Sequence, residues 1–123
     1  MPHHQNMPEH ASADMQQCIQ NCLECHRICT ATLAHCLEMG GKHAEKHHIT
    51  LLIDCAQICH TSADFMLRES TLHHVTCGAC AEICEQCATD CEQMADGDEQ
   101  MMACAEMCRV CATSCRKMAG IAA

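Results

Sequence analysis

The sequence predicts an all-α fold, an antiparallel up-down-up-down four-helix bundle with a cysteine-lined core, on three observations. Cysteines recur at steps of three and four residues, as in Cys77, Cys80, Cys84, Cys87 and Cys91, and such steps follow one face of an α-helix. The stripes fall in four segments parted by Gly40-Gly41, Glu69-Ser70-Thr71 and Asp96-Gly97-Asp98, each a chain-breaking signal. The usual core formers are scarce, with seven Leu, seven Ile, two Val, one Phe and neither Trp nor Tyr, against 16 Cys and 10 Met. Whatever fills the interior is mostly sulfur.

Residues 1–11 carry His3, His4, Met7 and His10 around two prolines and read as a flexible tail. Residues 12–123 are expected to form the bundle. Ser12 or Asp14 can cap the first helix, which should run through Met39 and stop at Gly40-Gly41, because side-chain oxygens accept from the free N–H groups of a first turn and glycine ends helices. Its inner stripe is Met15, Cys18, Cys22, Cys25, Cys29, Thr32 and Cys36.

A second helix is expected from about His43 to Arg68, turning His48, Leu52, Cys55, Cys59, Ser62 and Met66 inward. Within it Ile49-Thr50-Leu51-Leu52-Ile53 is the most conventionally apolar stretch and predicts a hydrocarbon plug. Ser70 is the expected cap of a third helix over about Thr71–Ala95, the one with five cysteines. Gly78 in its first turns costs about 1 kcal/mol relative to alanine, so packing must hold that turn. Asp98 should cap the fourth helix, which turns Met101, Cys104, Cys108, Cys111, Cys115 and Met118 inward and ends by Gly120.

In an up-down bundle, Cys18, Met66, Cys77, Cys115 and Met118 gather at one end. Cys36, Met39, His48, Met94 and Met101 gather at the other. The predicted object is a tube of thiols with Met and His at its mouths.

Composition bounds the partners. Seven Lys+Arg against 16 Asp+Glu give a net charge of -9, and without a basic run there is no electrostatic footprint for nucleic acid. No segment approaches the apolar length of a membrane span, and the first ten residues do not read as a secretory signal. These features predict a cytoplasmic chain, where thiols stay reduced and cysteine-rich sequences serve metals rather than disulfides. No Cys–His pair stands apart as a nucleophile and no phosphate loop is present, so no enzyme is predicted.

Soft thiolates select Cu(I), Zn(II) or iron–sulfur clusters. Iron–sulfur ligands concentrate in compact loops, whereas these are spread along helices. Each zinc held by four thiolates would leave a charge of -2 in a poorly polarisable interior, which is expensive. One Cu(I) per thiolate is neutral. The candidate ligands are therefore Cys18, Cys22, Cys25, Cys29, Cys36, Cys55, Cys59, Cys77, Cys80, Cys84, Cys87, Cys91, Cys104, Cys108, Cys111 and Cys115, for multiple Cu(I) ions at about one per cysteine. His48 lies on the inward register, and Met94 and Met101 flank one mouth as exchangeable thioethers. Histidines such as His26, His35 and His60 read as surface residues, and core methionines often serve only as gap-fillers. The alternatives are a general Zn(II) or Cd(II) sink of metallothionein type and, in a different class, a disulfide-stapled structural helical protein.

These motifs resemble the bacterial copper storage proteins, the Csp group, most closely its cytosolic Csp3 branch. The resemblance rests on Cys18-x3-Cys22-x2-Cys25-x3-Cys29-x6-Cys36, on His47-His48 followed by Cys55-Ala-Gln-Ile-Cys59, on the stripe from Cys77 to Cys91, and on Cys104-x3-Cys108-x2-Cys111-x3-Cys115. It implies a homotetramer of bundles storing Cu(I) on inward cysteines, with copper entering at one end. The sequence departs from some relatives in having Leu51, Leu52 and Ile53 in place of a further cysteine. Methionines also stand near the fourth helix where those relatives have histidines.

Overall fold

In the computed structural model, residues 11–121 are described. The expected tail histidines His3, His4 and His10, with Met7, lie outside the described residues. Four helices follow one another: α1 (Ala13–Met39), α2 (Lys46–Leu67), α3 (His73–Met94) and α4 (Glu99–Ala119), with a short 3-10 turn over Gly41–Ala44. The first helix packs on α2 and α4, and α3 packs on the same two, so the four make a closed square. Among the described residues there is no strand. The expected bundle is what the chain forms.

Two of the predicted caps close as expected. Ser12 Oγ accepts from the Met15 N–H at 3.1 Å, and Asp98 Oδ2 accepts from the Met101 N–H at 2.9 Å. At the far end of α4, Gly120 takes the left-handed conformation (φ 74°) while Gly120 and Ile121 donate back to Lys117 and Arg116. A residue with a Cβ would be strained there.

The second and third helices begin later than the spacing predicts. Residues expected in the first turn of α2 instead form the 3-10 turn, and α2 starts at Lys46 behind Glu45, whose side chain caps nothing. Positive φ at Gly40 and Gly41 diverts the chain before an α-helical turn can close. Ser70 does not cap α3: its Oγ accepts from the Leu72 N–H at 3.1 Å, within a turn, and the helix starts at His73 behind Leu72. The predicted plug also shrinks. Leu52 is fully buried and Ile49 packs beside the core, but Ile53 is 38% exposed.

All 16 cysteines are buried. A second pattern, unread in the sequence, lets the helices close around them. Ala56 and Ala63 on α2, Ala81 and Ala88 on α3 with Ala95 just past its end, and Ala105 and Ala112 on α4 are all buried at seven-residue intervals. Side chains seven apart return to the same face. Alanine there brings neighbouring backbones close enough for sulfur to meet sulfur across the centre. On α1 the flanking positions carry the bulkier Ile19, His26 and Leu33 instead.

Candidate metal centre

Each helix carries its thiols into the same column. Cys18 and Cys22 of α1 meet Cys115 of α4 at 3.7 and 3.5 Å, and Cys25 meets Cys108 at 3.7 Å. From α2, Cys59 approaches Cys80 at 3.6 Å and Cys84 at 3.5 Å, and Cys55 reaches Cys84 at 3.7 Å. Near the opposite end Cys29 lies 3.8 Å from Cys104. Such separations are far beyond a disulfide bond of about 2 Å, and every cysteine is a free thiol. They are the spacings over which two thiolates can share a metal ion.

Five sets of sulfurs converge closely enough to hold an ion: Cys22, Cys80, Cys111, Cys115; Cys25, Cys55, Cys59, Cys84; Cys25, Cys29, Cys55, Cys108; Cys59, Cys80, Cys84, Cys111; and Cys18, Cys77, Cys115. The sets overlap, since Cys25, Cys55, Cys59, Cys80, Cys84, Cys111 and Cys115 each belong to two. Isolated tetrahedral zinc sites would each need four thiolates of their own. A ladder of shared sulfurs suits ions of low coordination bridged by thiolates.

The thiols hold one another's protons in place. Cys25 is pulled far down, first by the thiol of Cys108, while Cys29 is pushed far up, first by Cys104. Cys22 falls to about 6 through hydrogen bonds from Cys111, Cys115 and Cys18. A thiolate that accepts several S–H groups is stabilised, and its donors are kept protonated. Burial first, then the charges of Asp98, Cys104 and Asp90, lifts Cys36 to about 11. Although the Cys115 thiol pulls Cys77 down, Cys18 and burial lift it to about 11. None of the seven Lys and Arg side chains is buried, so no inward cation offsets a column of bare thiolates. Soft cations are the counter-charge that fits.

The ends of the column differ. At one, Cys77 lies 3.8 Å from the thioether of fully buried Met66 and 3.2 Å from Ser62 Oγ. At the other, His48 is 1% exposed, with Nε2 at 3.3 Å from Cys36 Sγ and Nδ1 at 2.5 Å from Asp90 Oδ2. Met101 is fully buried beside the core, Met94 only half-buried, and Met39 45% exposed. Of the expected mouth residues, His48 and Met101 are therefore inside, and Met39 is on the surface.

Residues that the spacing left outside the candidate ligands, two of them histidines read as surface residues, are also here. Asp90 bonds to His48 across 42 positions of sequence. His35 donates from Nε2 to Asp98 at 2.9 Å, tying α1 to the cap of α4. His26 Nδ1 bonds to the Ala56 carbonyl oxygen at 2.8 Å, which accounts for a half-buried histidine without a metal.

The described helices include none long and apolar enough to cross a membrane. The copper storage protein (Csp) family model matches residues 11–120. An uncharacterized cysteine-rich protein of Bacillus subtilis, YhjQ, is 35% identical over 70 residues, 57% of this chain and 65% of that protein's length. In structure the chain is similar to the Nmul_A1745 protein of Nitrosospira multiformis, at 49% identity and TM-score 0.82, covering 87% of this chain and 95% of that one. The Cu(I)-bound copper storage protein BsCsp3 of Bacillus subtilis superposes at TM-score 0.80 with 34% identity over 86% of this chain and 98% of its own. A cytosolic copper storage protein of Streptomyces lividans, in a form with five coppers, gives 0.76 and 28% over 89% and 95%. A thiol column inside four helices, together with a family match spanning nearly the whole chain, makes this protein a member of the copper storage protein family.

Proposed function

We propose that this chain stores Cu(I), many ions at a time, on the thiolates of its buried cysteines. The observation that carries the reading is the overlapping ladder of sulfur sets in an interior without Lys or Arg. Sixteen thiolates and an equal number of Cu(I) ions balance to zero, whereas four-thiolate zinc sites would each strand two negative charges in low dielectric. All 16 cysteines are assigned as ligands, with His48 joining Cys36 at one end. The thioethers Met94 and Met101 are the weaker, exchangeable ligands of that same mouth. A cytoplasmic setting is supported by the wealth of cysteine without paired half-cystines and by likeness to the cytosolic Streptomyces lividans protein. Storage rather than catalysis fits thiols that converge in several overlapping sets, and by family likeness the bundles assemble as a homotetramer, with residues 12–123 as the storing unit.

The test is an anaerobic titration of the reduced apo-protein with Cu(I) against a chromophoric chelator, with Zn(II) in parallel. The expected endpoint is about one Cu(I) per cysteine, near sixteen per chain, with zinc stopping at far fewer. An endpoint of a few ions, or zinc clusters that copper does not displace, would return the molecule to a general soft-metal sink.

A further inference from the structure

Cys36 differs from the thiols of the ladder. Like Cys87, Cys91 and Cys104 it belongs to none of the convergent sulfur sets, but its close polar contact is an imidazole nitrogen, His48 Nε2, at 3.3 Å. The ligand atom that the structure places against this thiol is His48 Nε2. A neutral imidazole ligates through one nitrogen while the other keeps its proton. Which nitrogen is free depends on what the opposite side of the ring meets. Here that partner is a carboxylate, Asp90 Oδ2 at 2.5 Å from Nδ1, on a side chain 14% exposed. A carboxylate only accepts, so the proton belongs on Nδ1 and the lone pair of Nε2 is aimed at Cys36.

We infer that Asp90 is a positioning residue: it locks the tautomer and ring orientation of His48, making Cys36 and His48 a separate thiolate–imidazole Cu(I) site at the end of the bundle where α1 meets α2 and α3 meets α4. This inference rests on the storage reading for its cargo but not for its geometry. The fit is close. With metal–ligand bonds of about 2.0–2.3 Å, sulfur and nitrogen must stand roughly 3.8–4.3 Å apart around a bent or linear ion. The pair therefore opens by about 0.5–1 Å when the ion replaces the thiol proton. One thiolate, one neutral imidazole and one Cu(I) sum to zero charge, and the Asp90 carboxylate supplies a hydrogen-bonded anion one bond further out. Carboxylate, imidazole and metal in line is the arrangement that fixes metal-bound histidines generally, and loss of the outer carboxylate weakens binding by about 10–100-fold.

Two readings of the full chain test this. In the reduced apo-protein, long-range nitrogen–proton NMR should show His48 protonated on Nδ1 with Nε2 bare. In Asp90→Ala that pattern should become a tautomer mixture, while Asp90→Asn, whose amide oxygen still accepts, should keep it. In Cu(I) competition, Asp90→Ala should weaken one ion about ten-fold, leave the others unchanged, and have no further effect in a His48→Ala background. A His48 ring with the same tautomer in Asp90→Ala would overturn the inference. So would an Asp90→Ala loss equally large without His48, because the carboxylate would then act as a diffuse charge. Failure of the storage reading looks different: the unsubstituted protein itself would take up only a few ions.

Discussion

Asp98 shows how one side chain does two jobs. Its carboxylate closes the N-terminus of α4 by accepting from Met101 and anchors α1 by accepting from His35. His35 first, then the Met101 N–H, holds the Asp98 carboxyl below the usual carboxylate range. A carboxyl depressed in the folded state stabilises the fold above its unfolded value near pH 4, and that contribution is lost as acid protonates it. Asp98→Asn should keep most of the cap but flatten the acid-side loss of stability. Asp98→Ala should in addition cost about 1 kcal/mol near neutrality. Urea unfolding of the apo-protein at a series of pH values between about 7 and 3 separates the two contributions. Asp98 was legible as a cap because the cap signal is local. Asp90 was not, since it occupies the position before Cys91, off the inward stripe, and its partner lies on another helix. One-dimensional spacing cannot display such a pair.

At the level of the helix, Gly78 of α3 gives a sharp test. A Cβ built there would meet Ala119 Cβ at 3.8 Å and Ile121 Cδ1 at 3.9 Å, ordinary contact distances. The position has room for alanine, and its φ is not in the left-handed range. Gly78→Ala should therefore stabilise the bundle by about 0.5–1 kcal/mol, through helix propensity and a smaller unfolded-state entropy, read as a rise in thermal midpoint. A drop would mean that α3 and the end of α4 need to approach more closely than alanine permits. The sequence showed where the helices are because their thiols repeat at three and four. It showed the starts of α2 and α3 less well. Gly40 and Gly41 redirect the backbone before α2, and Ser70 spends its oxygen inside a turn. The seven-residue alanine repeat was in plain view, but alanine carries little weight in a hydrophobicity pattern. Its meaning emerges only when another helix lies against it.

The whole molecule has an unusual interior. Burying a leucine or isoleucine contributes about 1.5–3 kcal/mol, and the fully buried large aliphatic side chains here are Ile19 and Leu52. The apo-protein must stand mainly on thiol, alanine and methionine packing. Copper that binds only the folded column adds stability in proportion to its occupancy, so loading should raise the thermal midpoint and chelation should reverse the rise. Loading should also release protons. Cys36 and Cys77, lifted to about 11, are protonated at neutral pH, and an ion bound there displaces a proton, making uptake weaker as pH falls. A weakly buffered Cu(I) titration with a pH indicator should register about one proton per ion at such thiols.

Because Cys25, Cys55, Cys59, Cys80, Cys84, Cys111 and Cys115 each serve two sulfur sets, those sets form a one-dimensional lattice rather than a row of separate compartments. An ion on one rung alters the charge and reach of sulfurs that the next rung needs. Neighbouring occupancies are therefore coupled, and a half-filled chain is a distribution of runs and gaps. An ion held by one set shares sulfurs, all of them buried, with the next.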